Sequence, residues 1–335
     1  MVVTETFIES SLSKADIIFE MPLRPDNLKD FIGQEKVHDR LQLAMGAALQ
    51  RGDQLGHTLF YGPPGLGKTT LSNIISKAMG TNMVSTSGAV LDKPGDLAGI
   101  LTTLKRGDVL FIDEIHRLPR IVEEYLYPAM EDFNLDLVID SGPSARSVQI
   151  KLEQFTLVGA TTRAGSLSGP LRSRFGLMFR LDYYQPEDLK KVVMRSADIL
   201  NIKLDTESAL EVANRSRGTP RIANNLLRWV RDYAQMRNDN IVNKDVVHNS
   251  LEMLSIDECG LDEVDKKILK LIIDFHGGGP VGLSTIAAAI GEETITIEDM
   301  YEPYLIMNGF LRRTPRGREV TQLAYNHLEK INFKV

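Results

Sequence analysis

Residues 62–69 read Gly-Pro-Pro-Gly-Leu-Gly-Lys-Thr and match the phosphate-binding pattern G-x-x-x-x-G-K-[ST] at every fixed position. Glycines let backbone N–H groups turn towards phosphate oxygens, and the positive end of the following helix adds to the attraction. Lys68 can reach the β and γ phosphates of a nucleotide, and the Thr69 hydroxyl can bind Mg²⁺. The alternative is a Gly/Pro turn before a helix, but the supporting strand and helix would then also have to arise by chance. The expected nucleotide contacts are Gly65, Leu66, Gly67, Lys68, Thr69 and Thr70.

Two adjacent carboxylates, Asp113 and Glu114, follow the apolar run 109–112. In phosphate-loop ATPases the first such carboxylate helps to hold Mg²⁺ and its waters. The second is placed to take a proton from the attacking water. The alternative is an exposed pair that merely ends a strand. Together with the phosphate loop, the pair favours ATP hydrolysis, with Thr69 and Asp113 as the metal-binding residues.

These side chains need a sheet to position them. Short apolar runs at 57–61, 108–112 and 155–160 predict buried strands, and residues 68–79 predict a helix closed by Gly80. Strands alternating with helices predict a mostly parallel sheet covered on both faces.

Strand patterns stop after about residue 182. Helices are then predicted over 187–200, 206–217 and 220–237, with Asp205 or Thr206 as an N-cap. Further helices over 262–275, 283–290 and 296–310 precede a tight turn between two short strands, which is the order of a winged helix. We therefore predict a large ATPase domain over 1–182, a small helical domain over 183–256 and a winged-helix head over 257–335.

Composition narrows the class of protein. The chain has 335 residues, a formal net charge of -6 and one cysteine, Cys259, which excludes an intramolecular disulfide. A net negative charge argues against a protein coated in nucleic acid, although a local basic patch remains compatible with it. Neither a signal peptide nor a long apolar run is visible, so we expect a cytoplasmic protein without a membrane partner. The six histidines form no metal-ligand cluster in the sequence; His116 lies close to the acidic pair, and Cys259 is interpreted as an inert linker residue.

The chain resembles the AAA+ ATPases and, most closely, the RuvB family of bacterial Holliday-junction branch-migration motors. The stretches that carry the resemblance run in the family's order across nearly the whole chain: RPDNLKDFIGQ (24–34), GPPGLGKTT (62–70), DEIHRL (113–118), GATTRAG (159–165), LRSRFG (171–176), GTPRIANNLLR (218–228) and FLRRTPRGR (310–318). The resemblance implies an α/β P-loop AAA+ ATPase domain with a small all-helical lid domain and a C-terminal winged-helix domain.

The resemblance also implies roles for single residues. Thr162 would be the first sensor of the γ phosphate, Arg221 the second sensor, and Arg174 an arginine finger that acts on ATP held by a neighbouring subunit. The residues alone favour the structural alternatives: a strand-end cap for Thr162, a surface charge for Arg221 and a surface salt bridge for Arg174. Arg172 is the competing candidate for the finger. The remaining nucleotide contacts that it implies are Leu23, Arg24, Ile32, Glu131, Asp132, Phe133 and Tyr184.

Two further segments are predicted to contact macromolecules. Residues 131–150 predict a β-hairpin, which in RuvB-like proteins docks a RuvA-like partner; the apolar contacts would be Leu135, Leu137, Val138 and Ile139. Packing of these residues on the chain's own sheet is the alternative. The second segment, a predicted wing, would contact DNA phosphates through Arg312, Arg313, Arg316 and Arg318, with Arg313 and Arg318 leading, or else form a solvated basic turn.

Two details limit which residues of the winged helix are expected to contact DNA. Thr294 stands where some relatives carry an arginine, so a third phosphate contact there is not expected. Glu298, Asp299 and Glu302 make the helix 296–310 unsuited to a major-groove recognition role.

The expected function is ATP-driven movement of double-stranded DNA through a hexameric ring, which migrates Holliday junctions in recombination and repair. The expected ligands are ATP or ADP and Mg²⁺, and the expected partners are a RuvA-like protein and a RuvC-like resolvase. A clamp-loader-like ATPase switch is the first rival, and a sequence-specific DNA-binding regulator without enzymatic activity is the second. DNA-stimulated, processive ATP hydrolysis would separate the motor from both.

Overall fold

The computed structural model of the chain describes residues 19–139 and 146–332. These residues form two compact units, one of residues 21–184 and one of residues 19–20 with 185–332. The predicted turn of the hairpin (140–145) and the outer ends of the first and third predicted domains (1–18 and 333–335) lie outside the described residues. Within the described part, no helix combines the length and the apolar character that crossing a membrane requires.

Five parallel strands form the sheet of the first unit, in the spatial order β2-β3-β6-β1-β7. The strands are β1 (Thr58–Tyr61), β2 (Met83–Ser87), β3 (Val109–Asp113), β6 (Thr156–Thr161) and β7 (Leu177–Arg180). β6 is buried along its whole length, as are the first four residues of β3. The three predicted strands and the parallel sheet are therefore confirmed. The two edge strands, β2 and β7, are only partly buried, and their apolar runs are at most three residues long, so they were not predicted from the sequence.

Helices cover this sheet. They are α1 (Glu35–Arg51), α2 (Lys68–Met79), α3 (Pro94–Leu101), α4 (Arg120–Glu131) and the short α5 (Gly169–Ser173). The predicted helix 68–79 is confirmed residue for residue as α2, and Gly80 ends it in a left-handed conformation with φ 69. A left-handed C-terminal residue favours glycine because a side chain there is sterically strained.

The predicted hairpin is present as β4 (Asn134–Ile139) paired antiparallel with β5 (Arg146–Lys151). Leu135 is the second residue of β4 and is fully buried in the core of the first unit. Its prediction as a partner contact is therefore wrong, because the side chain packs on the chain's own sheet. The side chains of Leu137, Val138 and Ile139 lie outside the described ones, and Val148 on the opposite strand is 43% exposed.

Four helices follow in the second unit: α6 (Pro186–Ile199), α7 (Thr206–Asn214), α8 (Pro220–Arg237) and α9 (Lys244–Met253). Asp205 caps α7 by accepting a hydrogen bond from the Ser208 N–H, which confirms one of the two predicted caps. The helix predicted to reach 217 ends at Asn214 and is followed by a turn over 215–218, in which Arg217 adopts a left-handed conformation with φ 53.

The C-terminal part has the predicted winged-helix order. α10 (Glu263–His276) and α11 (Leu283–Ile290) precede a third helical segment, which runs from α12 (Thr294–Thr296) through a π-helical turn into α13 (Glu302–Met307). The wing is β8 (Leu311–Thr314) paired with β9 (Gly317–Val320), and α14 (Gln322–Asn332) closes the part. A core that includes Ile268, Tyr301 and Leu305 holds these elements together.

A buried ion pair joins the lid to the winged helix. Arg217 Nη1 donates to Asp265 Oδ2 over 2.9 Å, and Nη2 donates to Oδ1 over 3.3 Å. The two side chains are 3% and 0% exposed. The Arg217 guanidinium also lies 4.5 Å from the centre of the Tyr304 ring. Neither partner could be matched from the sequence, since the two are 48 positions apart.

His327 gives the head a pH-dependent contact. Its Nε2 lies 2.9 Å from Asp257 Oδ2, and this hydrogen bond raises the pKa of His327 to about 9. Lys266 lies 3.8 Å from the same carboxylate oxygen, and Cys259 Sγ lies 3.8 Å from His327 Nδ1. Cys259, interpreted above as a linker residue, is thus half-buried against the imidazole.

We expect His327→Gln to lose stability in a pH-dependent way. The folded-state pKa lies above the ordinary value of 6.5, so the protonated imidazole stabilises the fold fully below pH 6.5 and loses this contribution as the pH rises through 9. The urea midpoint of the wild type should therefore exceed that of the variant below pH 6.5, and the difference should shrink by pH 9. A difference that stays constant across this range would contradict the ion pair.

Candidate functional site

The carboxyl ends of β1, β3 and β6 meet at one edge of the sheet. Tyr61 pairs with Thr161 in the β1–β6 register, and the Gly62 N–H donates to the Thr161 carbonyl over 3.2 Å. Gly62 has φ 143, and a Cβ there would lie 2.2 Å from the Leu181 carbonyl oxygen. Only glycine fits this position. The chain consequently leaves the sheet at a fixed point and enters the phosphate loop.

The loop itself has the shape that a phosphate needs. Gly65 and Gly67 adopt left-handed conformations with φ 77 and 98, and the Phe31 ring packs directly against Gly67. Lys68 is 8% exposed, and its Nζ donates to the carbonyls of Gly62 (2.9 Å) and Pro63 (2.8 Å). The ammonium group is therefore held inside the concave backbone, where it can meet the oxygens of a nucleotide. Leu66 and Thr70 are buried beneath the loop, and Thr69 is half-buried.

The acidic pair ends β3 as predicted. Glu114 adopts a left-handed conformation with φ 47, and its N–H donates to Asp113 Oδ1 over 2.9 Å. Such a conformation is uncommon for a residue other than glycine and is found at functional sites. The two carboxylates have different partners: Asp113 Oδ1 accepts the Glu114 N–H, whereas Glu114 Oε2 lies 3.3 Å from His116 Nδ1.

His116 connects the acidic strand to the sensor strand. Its Nδ1 lies 3.3 Å from Glu114 Oε2 and 2.9 Å from Thr161 Oγ1. Thr162, the predicted first sensor, directly follows Thr161 at the end of β6 and is half-buried. Thr161 was not identified from the sequence, because a hydroxyl inside an apolar strand gives no signal that its partner follows the neighbouring strand β3.

The residues predicted on the adenine side are also brought together. Gln34 Nε2 donates to the Asp182 carbonyl over 2.5 Å, and the Asp182 N–H donates to Gln34 Oε1 over 3.2 Å. This pair of hydrogen bonds ties the segment that precedes α1 to the residues that follow β7. The predicted nucleotide contacts on the two tied segments are Leu23 and Tyr184, which are buried, and Arg24 and Ile32, which are half-buried.

Arg174 ends α5 and is held by its own subunit. Its Nη1 donates to the Pro170 carbonyl over 2.8 Å, and its Nη2 lies 3.2 Å from Glu131 Oε2. The competing candidate, Arg172, is exposed. Asp132 is exposed next to Glu131, whereas Phe133 is half-buried and packs edge-on against the Phe155 ring.

Arg221 belongs to the second unit, where it lies at the start of α8. Its Nε is 3.7 Å from Glu20 Oε1, and its side chain is 26% exposed. Its role as second sensor stays a prediction.

The wing arginines are paired with acids. Glu302, which is 1% exposed, accepts hydrogen bonds from Arg313 Nε (2.8 Å) and from Arg318 Nη2 (2.9 Å). These hydrogen bonds lower the pKa of Glu302 despite its burial. Arg313 also pairs with Glu298, and the exposed Arg312 pairs with Glu319. Arg316, at the tip of the turn, is exposed and has no ion pair within the described residues. Contact of the four with DNA stays a prediction.

Comparisons with known proteins agree over nearly the whole chain, from residue 23 to residue 329. Three family models match in succession: the Holliday junction DNA helicase RuvB P-loop domain over residues 23–181, the RuvB AAA lid domain over 184–257, and the RuvB C-terminal winged-helix domain over 258–329.

Individual relatives cover nearly the whole chain. The RuvB subunit of the Holliday junction branch migration complex from Protochlamydia amoebophila is 64% identical over 97% of this chain and 98% of its own length. The same subunit from Parabacteroides distasonis is 60% identical over 92% and 91%. A solved structure of the Thermotoga maritima RuvB Holliday junction branch migration motor, at 52% identity, superimposes with a TM-score of 0.85 and covers 92% of this chain and 99% of that one. The chain therefore belongs to the RuvB family.

Proposed function

We propose that this chain is the ATP-driven motor of Holliday-junction branch migration, working on double-stranded DNA as a hexameric ring. One observation carries the proposal: the phosphate loop, the acidic pair and the sensor threonine meet at one sheet edge, in a chain that also carries a winged helix. A regulator that only binds DNA needs no such catalytic edge. A loader-type switch needs the edge but not the winged helix.

Each residue at the edge has a distinct task in hydrolysis. The loop N–H groups and Lys68 bind the β and γ phosphates and hold them in place. Glu114 accepts the proton of the attacking water, and Thr162 orients that water or the γ phosphate. Thr69 and Asp113 are the residues that would hold Mg²⁺, which neutralises charge on the phosphate oxygens when it is bound.

The nucleotide site is completed by a neighbour under this proposal. An arginine supplied in trans stabilises the charge that develops on the transferred phosphoryl group, and Arg174 is the candidate. Its present acceptor is Glu131, which is 54% exposed, so a phosphate brought up by the next subunit can replace that carboxylate. ATP turnover then requires the ring, and the proposed ring is a hexamer.

The proposed partners follow the family. The hairpin of β4 and β5 would dock a RuvA-like junction-binding protein through Leu137, Val138 and Ile139, and a RuvC-like resolvase would act on the same junctions. The exposed side chain of Val148 supports an apolar contact on this hairpin. We place the protein in the cytoplasm, where its DNA substrate lies.

We expect two arginines of the wing to have different roles: Arg316 contacts DNA, and Arg318 stabilises the fold. We expect Arg316→Ala to weaken DNA binding equally for all sequences and to reduce the dependence of log K on log salt by about one. Arg318→Ala should instead lower the free energy of unfolding by about 1–3 kcal/mol, because it removes a charged partner from the buried Glu302.

The separate roles of Arg316 and Arg318 are checked by two measurements on both variants. These are DNA affinity at several salt concentrations and unfolding in urea. Lys270→Ala, which removes an exposed cation of α10 outside the wing, is the matched control. If Arg316→Ala bound DNA with unchanged affinity, Arg316 would not be a DNA contact.

The function is tested with a synthetic four-way junction, ATP and Mg²⁺, with and without a RuvA-like protein. We expect ATP-dependent conversion to two-armed products that is lost in Lys68→Ala. If a functional RuvA-like protein is present and ATP is hydrolysed but the junction stays intact, the loader-type switch becomes the better reading.

A further inference from the structure

The Arg174 guanidinium lies over the face of an aromatic ring. Its central carbon is 4.3 Å from the centre of the Tyr127 ring. The side chain is only 21% exposed, and its Nε is buried without a hydrogen-bond acceptor among the described residues. The ring face therefore holds this guanidinium in addition to its hydrogen bonds to the Pro170 carbonyl and Glu131.

A buried carboxylate holds the ring in place. The Tyr127 hydroxyl donates to Glu123 Oε2 over 2.9 Å, and the Ser168 hydroxyl donates to the same oxygen over 2.6 Å. Burial raises the pKa of Tyr127, so the hydroxyl stays protonated and keeps donating at neutral pH. Glu123 is 7% exposed, which shields these two hydrogen bonds from water.

The same carboxylate also holds the helix that carries Arg174. Ser168 is the N-cap of α5, and its Oγ accepts a hydrogen bond from the Leu171 N–H over 3.2 Å. Glu123 thus links the ring on α4 to the first turn of α5. Glu123, Tyr127 and Glu131 are spaced by four residues along α4, which puts them on one face of the helix. Tyr127 and Glu131 on this face contact Arg174.

We propose that Tyr127 is a positioning residue for Arg174, and that Glu123 and Ser168 fix its ring. The inference rests on the proposed role of Arg174 as a finger that acts in trans. A ring that holds the guanidinium by its face leaves the N–H groups at its edge free to exchange Glu131 for a phosphate. The Arg174 side chain is then already oriented when it reaches the neighbouring nucleotide site. It therefore loses less conformational freedom when the transition state forms.

The first test compares Tyr127→Leu, which removes the ring, with Tyr127→Phe, which keeps it and removes only the hydroxyl. We expect Tyr127→Leu to lower kcat for ATP by roughly tenfold while KM and ADP affinity stay within about twofold. Tyr127→Phe keeps the ring face but loses the hydrogen bond to Glu123, so its kcat should lie between that of Tyr127→Leu and that of the wild type. Ring assembly is measured in parallel by mass photometry, and Tyr127→Met replaces Tyr127→Leu if the latter does not fold.

The second test mixes subunits. Lys68→Ala subunits cannot turn over ATP but can donate Arg174 to a neighbour, so they should restore hydrolysis by Tyr127→Leu subunits, whose own nucleotide site is intact. A residue that merely supports its own site or its own fold cannot be rescued in this way. Absence of rescue, or equal kcat for the Leu and Phe variants, overturns the inference.

The variant Arg174→Ala distinguishes a failure of the finger role of Arg174 from a failure of the positioning role of Tyr127. If Arg174→Ala hydrolyses ATP like the wild type, the finger assignment fails and the inference fails with it. If Arg174→Ala is impaired and rescued by Lys68→Ala subunits while Tyr127→Leu is as active as the wild type, the finger stands and only the role of Tyr127 is refuted.

Discussion

Replacing Lys68 with alanine should lower kcat for ATP by at least about 100-fold, because it removes the one cation that the phosphate loop encloses. The Nζ of Lys68 is held by two carbonyls of the loop itself, so the charge is in position before a nucleotide arrives. ADP affinity should fall as well, since the ammonium group contacts the phosphates in the ground state. A coupled assay of phosphate release and a fluorescent-nucleotide titration measure the two effects.

Lys77 provides the matched control for this variant. It lies on the same helix, α2, is 55% exposed and pairs with Asp26. An exposed pair of this kind contributes little, so Lys77→Ala should keep kcat within about twofold of the wild type. If Lys68→Ala retained robust turnover, or if both variants lost it equally, the phosphate loop would not be the catalytic site.

Replacing Asp265 with asparagine should destabilise the lid and head by about 3–5 kcal/mol, because it leaves Arg217 buried without its charge partner. Arg217 is 3% exposed, and the second carboxylate nearby, on Asp262, is 3.9 Å away, too far for a direct hydrogen bond. Trp229, the only tryptophan in the chain, lies on α8 of the lid and reports the loss through its fluorescence during urea unfolding.

Two variants sharpen this measurement. Glu263→Gln changes the same helix at an exposed pair with Lys267 and should cost less than about 1 kcal/mol. The double replacement Arg217→Met with Asp265→Leu removes both charges and should recover much of the lost stability. Unfolding midpoints for Asp265→Asn that match the wild type would show that the pair is not needed for folding.

The local features of the site were predictable from the sequence. The phosphate loop, the Gly80 cap and the acidic end of β3 each depend on neighbouring residues and on backbone conformations that glycine permits. The winged-helix order was visible for the same reason, because turn chemistry and helical periodicity repeat over short distances.

Partners distant in the sequence were not predictable. The residues around Arg318 do not indicate that its partner is the buried Glu302, 16 positions earlier. Likewise, the residues around Leu135 do not indicate that this part of its strand is buried in the core. Arg313 and Arg318 were predicted as the leading DNA contacts on the strength of the family resemblance, since the spacing of the four arginines does not rank one above another. The structure adds the carboxylates, and these direct attention to the unpaired tip at Arg316.

The ion pair between Arg217 and Asp265 has a mechanical consequence. Arg217 precedes α8 and Arg221 lies in its first turn, so the proposed γ-phosphate sensor and the anchor of the head are four residues apart. Under the proposed function, the buried ion pair would couple the head to the start of α8. A small rotation of that helix on ATP turnover would then be transmitted to the wing and would displace the DNA.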